Sequence, residues 1–261
     1  MSLHDAYART TPVELLFPDA EEAASLSSRI AEEAVGRGTD DGDPDAFLTM
    51  GVVTDFVRGI EGAEAPADAI HRYGALVFHA VHFTRAGGPL YLLTTHAARY
   101  LVEGSAGDDP SPSSTAGYLQ LPQHLFWLQE GSTVPESVDG VFWTVCGNRL
   151  HAMLVASVRS DRTGLRVIPL PAAPLGEASA WLDVDARGDG SDFANTMPGA
   201  ELDALYALET SGEVFKLLAR VFAYLRAVPG AAVPGEGGPD AGPDGAPTPS
   251  RLPCTRVILA G

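Results

Sequence analysis

The stretch that decides the fold is residues 139–170, DGVFWTVCGNRLHAMLVASVRSDRTGLRVIPL. Two runs rich in β-branched and aromatic residues, 141–146 and 149–158, flank the pair Gly147 and Asn148. A two-residue loop of this composition between two such runs is typical of a β-hairpin. The sequence therefore predicts a hairpin in which residue 146 pairs with residue 149.

The predicted pairing sorts the hairpin side chains into two faces, because successive side chains of a strand point to opposite sides. One face is wholly apolar and must be buried; it carries Val141, Trp143, Val145, Leu150, Ala152, Leu154, Ala156 and Val158. The other face is apolar far from the turn and polar near it, where Thr144 and His151 are predicted to be cross-strand neighbours. A turn at 159–164 and the run 165–170 predict a third antiparallel strand.

Helical spacing of apolar residues dominates the first hundred residues. It predicts helices over 19–35, 45–60 and 66–86. A further helix is predicted to begin at Pro89 and to share one face among Leu90, Leu93, Ala97 and Leu101. Because predicted helices and strands are segregated along the chain, we expect an α+β fold: an N-terminal helical layer, a central antiparallel sheet and a C-terminal helix.

The chain divides into five segments by composition. We expect a helical region over 1–104, a loop over 105–116, and an antiparallel sheet with a C-terminal helix at 202–228 within residues 117–228. Residues 229–250, rich in Pro, Gly and Ala, predict a flexible disordered linker. Residues 251–261 predict a terminal docking strand, which joins the sheet or a neighbouring copy. Its predicted interaction residues are Val257, Ile258 and Leu259.

Composition narrows the class of protein. A net charge of −17 disfavours nucleic acid and anionic membranes as partners, because both require a basic surface. No apolar run approaches the roughly 18–20 residues that span a bilayer, and the first residues lack the pattern of a secretory signal. Two cysteines cannot form a disulfide framework. We therefore expect a soluble, cytoplasmic protein of bacterial type.

The predicted helix over 66–86 carries a candidate metal site. His79 and His82 are three residues apart, so both imidazoles can reach one divalent ion, and Asp68 is a candidate third ligand. The pattern lacks the glutamate that follows the first histidine of a His-Glu-x-x-His motif and acts as general base. The alternative is a polar helix face that binds no metal.

A second candidate site lies around the turn that follows the hairpin. Arg159 and Arg162, with His151 on the preceding strand, could hold the carboxylate or phosphate of a small anionic ligand. The alternative is an ordinary polar turn. Cys146 lies near His151 on the same face, but no third group that would orient a cysteine–histidine nucleophile is evident.

The sequence contains no nucleophile elbow, phosphate loop or dinucleotide-binding turn. We therefore predict a protein that acts by protein–protein interaction or self-assembly, without catalysis and without a cofactor. Two alternatives stay open: a metal-dependent hydrolase that uses the His-x-x-His helix, and a sensor of a small anionic ligand.

Overall fold

The structure is a computed structural model that describes residues 7–104, 107–128, 136–157, 165–182, 206–208, 211–235 and 248–260. Its helices are α1 (Pro12–Leu16), α2 (Ala20–Arg37), α3 (Pro44–Leu48), α4 (Gly51–Glu61), α5 (Ala67–Arg85), α6 (Thr95–Glu103), α7 (Ala178–Leu182) and α8 (Ser211–Ala227). Its strands are β1 (Leu90–Leu93), β2 (Ala116–Gln120), β3 (Phe126–Leu128), β4 (Glu136–Ser137), β5 (Gly140–Cys146), β6 (Arg149–Ser157), β7 (Arg166–Pro169), β8 (Ala173–Pro174), β9 (Tyr206–Ala207), β10 (Ala232–Pro234) and β11 (Cys254–Val257). The predicted α+β class is confirmed.

The predicted hairpin is confirmed in its predicted register. Strands β5 and β6 pair Trp143 with Ala152 and Thr144 with His151, and β7 then pairs with β6 in the antiparallel sense. Gly147 occupies the first turn position at φ 56°, which costs glycine little because it has no Cβ. The chemistry of this turn thus fixes which side chains face each side of the sheet.

The two faces of the sheet pack against two helical layers. Trp143 and Leu154 belong to a hydrophobic core shared with α6, α7 and α8. Phe142 and Met153 belong to a second core shared with α1 to α5. The largest side chains fit because of close backbone approaches: a Cβ on Gly117 would lie 2.3 Å from the Trp143 ring. The hairpin is therefore covered on both sides.

The main sheet is mixed, whereas the sequence predicted an antiparallel one. Its strand order is β10-β11-β1-β2-β5-β6-β7, with β8 beside β6, and β1 runs parallel to both of its neighbours. The helix predicted from Pro89 is wrong in its first turn, because residues 90–93 form β1. A central parallel strand is buried on both faces and lacks the alternation that identifies exposed strands. Its short apolar run fits helical spacing equally well.

Two further boundaries differ from the predictions. The helix predicted over 202–228 begins only at Ser211, and β9 precedes it. Part of the predicted linker is ordered, since β10 pairs with β11; residues 236–247 lie outside the described residues. Strand β11 inserts between β10 and β1, so its backbone is paired on both sides. None of the described helices combines the length and apolar character needed to cross a bilayer.

A buried polar cluster anchors the first described residues to the sheet and to the chain near residue 250. The Arg9 guanidinium donates to the Asp139 carboxylate at 2.9 Å and to the Leu121 carbonyl at 2.8 Å. The Glu14 carboxylate accepts from the Ser250 hydroxyl and the Arg251 backbone N–H, at 2.8 Å and 2.6 Å. These bonds join segments that are far apart in sequence.

Candidate functional site

A cavity of about 590 Å³ lies between α5, the turn end of the β5–β6 hairpin and the acidic loop, residues 40–45. We call it the histidine cleft. Its chemically distinctive lining residues are Asp40, Asp43, Asp45, His71, Phe78, His79, Cys146, Arg149 and His151. Sites for small organic molecules are clefts of this size with a mixture of apolar walls and a few placed polar groups. The cleft is therefore the candidate functional site.

His79 is the most constrained polar group of the cleft. It lies in the middle of α5, which is buried along most of its length, and only 3% of it is exposed. The polar helix face predicted for His79 is thus covered by the sheet and not by solvent. Its Nδ1 lies 2.9 Å from Thr144 Oγ1 in a hydrogen bond across the two layers. Its Nε2 makes no hydrogen bond within the described part of the chain.

The hydrogen bond to Thr144 sets the orientation of the His79 ring. Thr144 lies on β5 and is only 1% exposed, so its hydroxyl is buried beneath the cleft wall. Burial, with smaller contributions from the charges of His151 and His82, lowers the pKa of His79 to about 3. The imidazole is therefore neutral at pH 7, with one nitrogen bound to Thr144 and the other left for the cleft.

His82 has a different role from His79, although the two are three residues apart. Its Nε2 donates to the Asp41 carbonyl oxygen at 3.4 Å, and Arg85 pairs with the Asp41 carboxylate at 2.7 Å. Burial lowers the pKa of His82, while the hydrogen bond to Asp41 opposes that shift. His82 and Arg85 thus fasten the acidic loop onto α5.

The structure does not bring the predicted metal ligands together. Asp68 is exposed in the first turn of α5, where it pairs with Arg72 at 3.3 Å. By helical rise it lies about 16 Å along the axis from His79. Within the described ranges no group of three or more His, Cys, Asp or Glu side chains is placed to hold a metal ion.

The hairpin supplies the opposite wall of the cleft. Cys146 and His151 line it, and the ring of His151 lies 5.9 Å from that of Phe78. Burial raises the pKa of Cys146 to about 11, and the carboxylates of the acidic loop add to that shift. The side chain is therefore a thiol at neutral pH, which argues against a thiolate nucleophile. Cys146 and Cys254 are both free.

The acidic loop gives the cleft its negative charge. Asp40 accepts from the Gly42 N–H at 2.9 Å, and Asp43 caps α3 by accepting from the Asp45 N–H at 3.1 Å. Among the described residues, none of these three aspartates forms an ion pair. The charges of Asp43 and Asp45 act on His151. Burial and the charge of Arg149 lower the pKa of His151, and these two carboxylates oppose that shift.

Among the described residues that line the cleft, Arg149 is the one arginine. Its Nη2 donates to the Ala172 carbonyl at 2.8 Å, and it makes no ion pair within the described ranges. The three carboxylates outnumber this one guanidinium, so the described lining has an excess of acidic side chains.

The remaining predicted site residues lie elsewhere. Arg159 and Arg162 fall outside the described residues, so only His151 of the predicted anion site can be placed, and it lines the cleft. Val257 is buried in the sheet and Leu259 is 45% exposed. The Tyr224 hydroxyl bonds the Ile258 carbonyl and the Ala260 N–H, both at 3.0 Å, which holds Leu259 at the surface.

The acidic loop and Phe78 carry no sequence signal that marks them as parts of a site. His79 and His151 were predicted in two separate sites, because they lie on a helix and a hairpin far apart in the chain. The packing of α5 on β5 merges them, and only the polar residues near the hairpin turn hinted at a surface there.

Comparison of the chain with protein-family models, with curated proteins and with solved structures finds no match. Functional inference therefore depends on the geometry of the histidine cleft itself.

Proposed function

We propose that this protein binds a small molecule in the histidine cleft and acts as a binding protein. The observation that carries the proposal is the state of His79. This imidazole is 3% exposed, is oriented through Thr144, and lines a cavity of about 590 Å³ with Nε2 lacking a partner among the described residues.

Burial of the His79 side chain costs stability, because it disfavours the charged form of the ring. A hydrophobic residue at position 79 would avoid this cost in the middle of α5. A ligand that hydrogen-bonds Nε2 explains why a histidine stands at this position although it lowers the stability of the fold.

Binding is better supported than catalysis. The Cys146 thiol is protonated at neutral pH, and Thr144 is buried and does not line the cleft. Nucleophilic catalysis requires a hydroxyl or thiol that faces the ligand and is activated by a basic imidazole. Neither the Thr144 hydroxyl nor the Cys146 thiol meets this requirement. His79, His151 and Phe78 instead supply neutral polar and aromatic groups, which are typical of a recognition site.

The proposal is tested by NMR of the protein with ¹³C- and ¹⁵N-labelled histidine during titration with a library of small fragments. We expect saturable shifts of the His79 and His151 ring signals for a subset of fragments. The variant Ala172→Trp places an indole at the cleft wall and should abolish these shifts, while its urea unfolding midpoint stays close to that of wild type.

The matched control is Ala63→Trp, which adds the same ring at an exposed position that does not line the cleft. It should bind like wild type. Shifts that persist unchanged in Ala172→Trp, or a library that produces no saturable shift of either ring, would contradict the proposed function.

A second candidate function is self-assembly, which the sequence predicts through Val257, Ile258 and Leu259. One observation favours it: Leu259 and Tyr100 are 45% and 42% exposed. The ring of Tyr100 lies 5.8 Å from that of Tyr224, and the Tyr224 hydroxyl bonds the backbone of the residues on either side of Leu259. Exposed apolar side chains in one part of the surface are compatible with a protein contact. Because β11 is paired on both sides, assembly would use these side chains and not backbone pairing.

Sedimentation velocity over a hundredfold range of concentration tests this second candidate. Self-assembly predicts a concentration-dependent species that Leu259→Asp removes and that Val35→Asp, at a distant exposed position, leaves intact. A wild-type protein that sediments as a monomer throughout would contradict it.

A further inference from the structure

The negative charge of the histidine cleft determines which class of ligand it favours. Asp40, Asp43 and Asp45 line the cleft without an ion pair among the described residues, while their neighbour Asp41 is paired with Arg85. The loop therefore neutralises the carboxylate that points to α5 and leaves three others at the cavity.

Burial is the largest cause of the lowered pKa values of His79 and His151, which line the cleft, and of His82 beside it, so these three imidazoles contribute little positive charge near pH 7. His71 also lines the cleft, at an exposed position. Among the described lining residues Arg149 carries the only guanidinium, and its Nη2 is engaged by the Ala172 carbonyl. An uncompensated negative potential in a cavity with low-dielectric walls attracts a cation and repels an anion.

The free nitrogen of His79 provides the second, independent observation. The 2.9 Å contact between Nδ1 and Thr144 Oγ1 fits either ring tautomer. In the tautomer with the proton on Nδ1, Nε2 carries the lone pair and accepts a hydrogen bond from a group in the cleft. An N–H donor on the ligand satisfies this atom. The carboxylates and the imidazole acceptor thus call for the same kind of chemical group, one that carries N–H donors and a positive charge.

We propose that His79 carries its proton on Nδ1 and that the histidine cleft recognises an organic amine, an N–H group of which donates to Nε2 of His79 while the carboxylates of Asp43 and Asp45 attract its positive charge. The inference rests on the proposed binding function and names its ligand class. Phe78 and Leu48, which also line the cleft, offer contact surface for the hydrocarbon part of the amine. The small anionic ligand predicted from the sequence is disfavoured at this cleft by the same charges.

The experiment compares ligands that share a similar hydrocarbon part and differ in the charge of the end group. One set is phenethylamine, 2-phenylethanol and 3-phenylpropionate; the other is hexane-1,6-diamine, hexane-1,6-diol and adipate. Each is titrated by isothermal calorimetry and by histidine NMR at pH 7. We expect at least one amine to bind at least tenfold more tightly than its alcohol, and both carboxylates to leave the His79 signal unchanged.

The double variant Asp43→Asn, Asp45→Asn removes two charges while asparagine keeps the capping of α3. It should weaken amine binding at least tenfold. The matched control is Asp19→Asn, Glu21→Gln, which makes the same changes at the N-cap and second position of α2, where Asp19 accepts from the Glu21 N–H. This control should leave amine affinity unchanged.

The outcomes separate the two proposals. Tighter binding of an alcohol or a carboxylate, with loss of that binding in Ala172→Trp, overturns the amine class and leaves the binding function standing. Amine binding that the double variant does not weaken also overturns it. Absence of any binding by all six compounds overturns the amine class, and absence of any fragment binding in the earlier screen overturns the binding function itself.

Discussion

The two faces of the β5–β6 hairpin consist of alternate residues of the same two strands, yet one face is buried in a hydrophobic core and the other borders a polar cavity near the turn. Trp143 and Leu154, on one face, are buried with α6, α7 and α8 in a hydrophobic core. On the other face Phe142 and Met153 are equally buried under α5, but Thr144, Cys146 and His151 follow near the turn, and Cys146 and His151 border a cavity. Polarity on the second face changes within a few residues.

The two faces differ in how far their stability depends on polar groups. On the first face the Trp143 ring N–H donates to the Ser114 carbonyl at 3.4 Å, and stability depends mainly on shape, as the close fit of Trp143 over Gly117 illustrates. The second face carries a histidine–threonine pair under nearly complete burial, so its stability depends on hydrogen bonding and on pH. Substitutions on the two faces should therefore respond to different conditions.

The largest expected effect is a packing defect on the first face. Gly117→Ala places a Cβ 2.3 Å from the Trp143 ring, which cannot move without disturbing the α8 side of the core. We expect a loss of about 3 kcal/mol in the free energy of unfolding, measured in urea, with no dependence on pH between 5 and 7.

Gly36→Ala is the control for this substitution, because nothing lies within 4 Å of a Cβ at position 36 on α2. It should leave stability unchanged or raise it by about 0.5–1 kcal/mol. Equal destabilisation by both variants would show that the Trp143 contact is not the reason for the glycine.

The next effect is a pH dependence that belongs to the second face. The pKa of His79 falls from 6.5 to about 3 on folding, so between these pH values only the unfolded chain takes up the proton. Stability contributed by His79 is therefore present above pH 6.5 and lost as the pH falls. The loss amounts to about 2 kcal/mol between pH 7 and pH 5.

Urea unfolding of wild type and His79→Gln at pH 7 and pH 5 measures this contribution. The variant should lose about 2 kcal/mol less than wild type over that interval. His71→Gln, on an exposed histidine of the same helix, is the control and should keep the wild-type difference. Identical differences in wild type and His79→Gln would show that His79 titrates normally.

A smaller effect is expected from the hydrogen bond that orients the His79 ring. Thr144→Val keeps the shape of the side chain and leaves Nδ1 of His79 without its partner. We expect a loss of about 1 kcal/mol in stability at pH 7 and a change in the NMR signals of the His79 ring nitrogens. Thr95→Val, at a half-buried position outside the cleft, should not alter those signals, and unaltered signals in Thr144→Val would contradict the assigned contact.

The smallest stability effect should come from Arg149, at the polar end of the second face. Arg149→Gln removes an exposed charge and should change the free energy of unfolding by less than about 0.5 kcal/mol. Amine binding should tighten by about threefold because the cleft becomes more negative. Arg226→Gln, whose arginine pairs with Asp109 away from the cleft, should change neither amine affinity nor the cleft signals.

The hairpin could be predicted from sequence because its signals are local. The Gly147-Asn148 pair sets the turn, and alternation then assigns each neighbour to a face, down to the pairing of Thr144 with His151. Strand β1 could not be predicted, because four buried residues between parallel neighbours show no alternation. The apolar composition of residues 251–261 predicted a strand that joins the sheet, but nothing local indicated that β11 runs parallel to β1.

Single residues of the candidate site could be predicted from the sequence, but the contacts that bring them together could not, because these contacts are not local. His79 and His151 are noticeable as polar residues in apolar surroundings, but the hydrogen bond from His79 to Thr144 spans 65 residues of sequence. The acidic loop resembles any solvated turn until His82 and Arg85 fasten it over α5. A cleft formed by three separate segments leaves no contiguous motif.

The position of β11 also sets the order in which the sheet can form. Leu90 of β1 pairs with Cys254 of β11, so one edge of a central strand finds its partner only after most of the chain has been synthesised. Closing so long a loop carries a large entropic cost, and contacts this distant slow folding. During translation β1 exposes an unpaired edge until residue 257 leaves the ribosome, which makes that interval the period of greatest risk for mispairing with another chain.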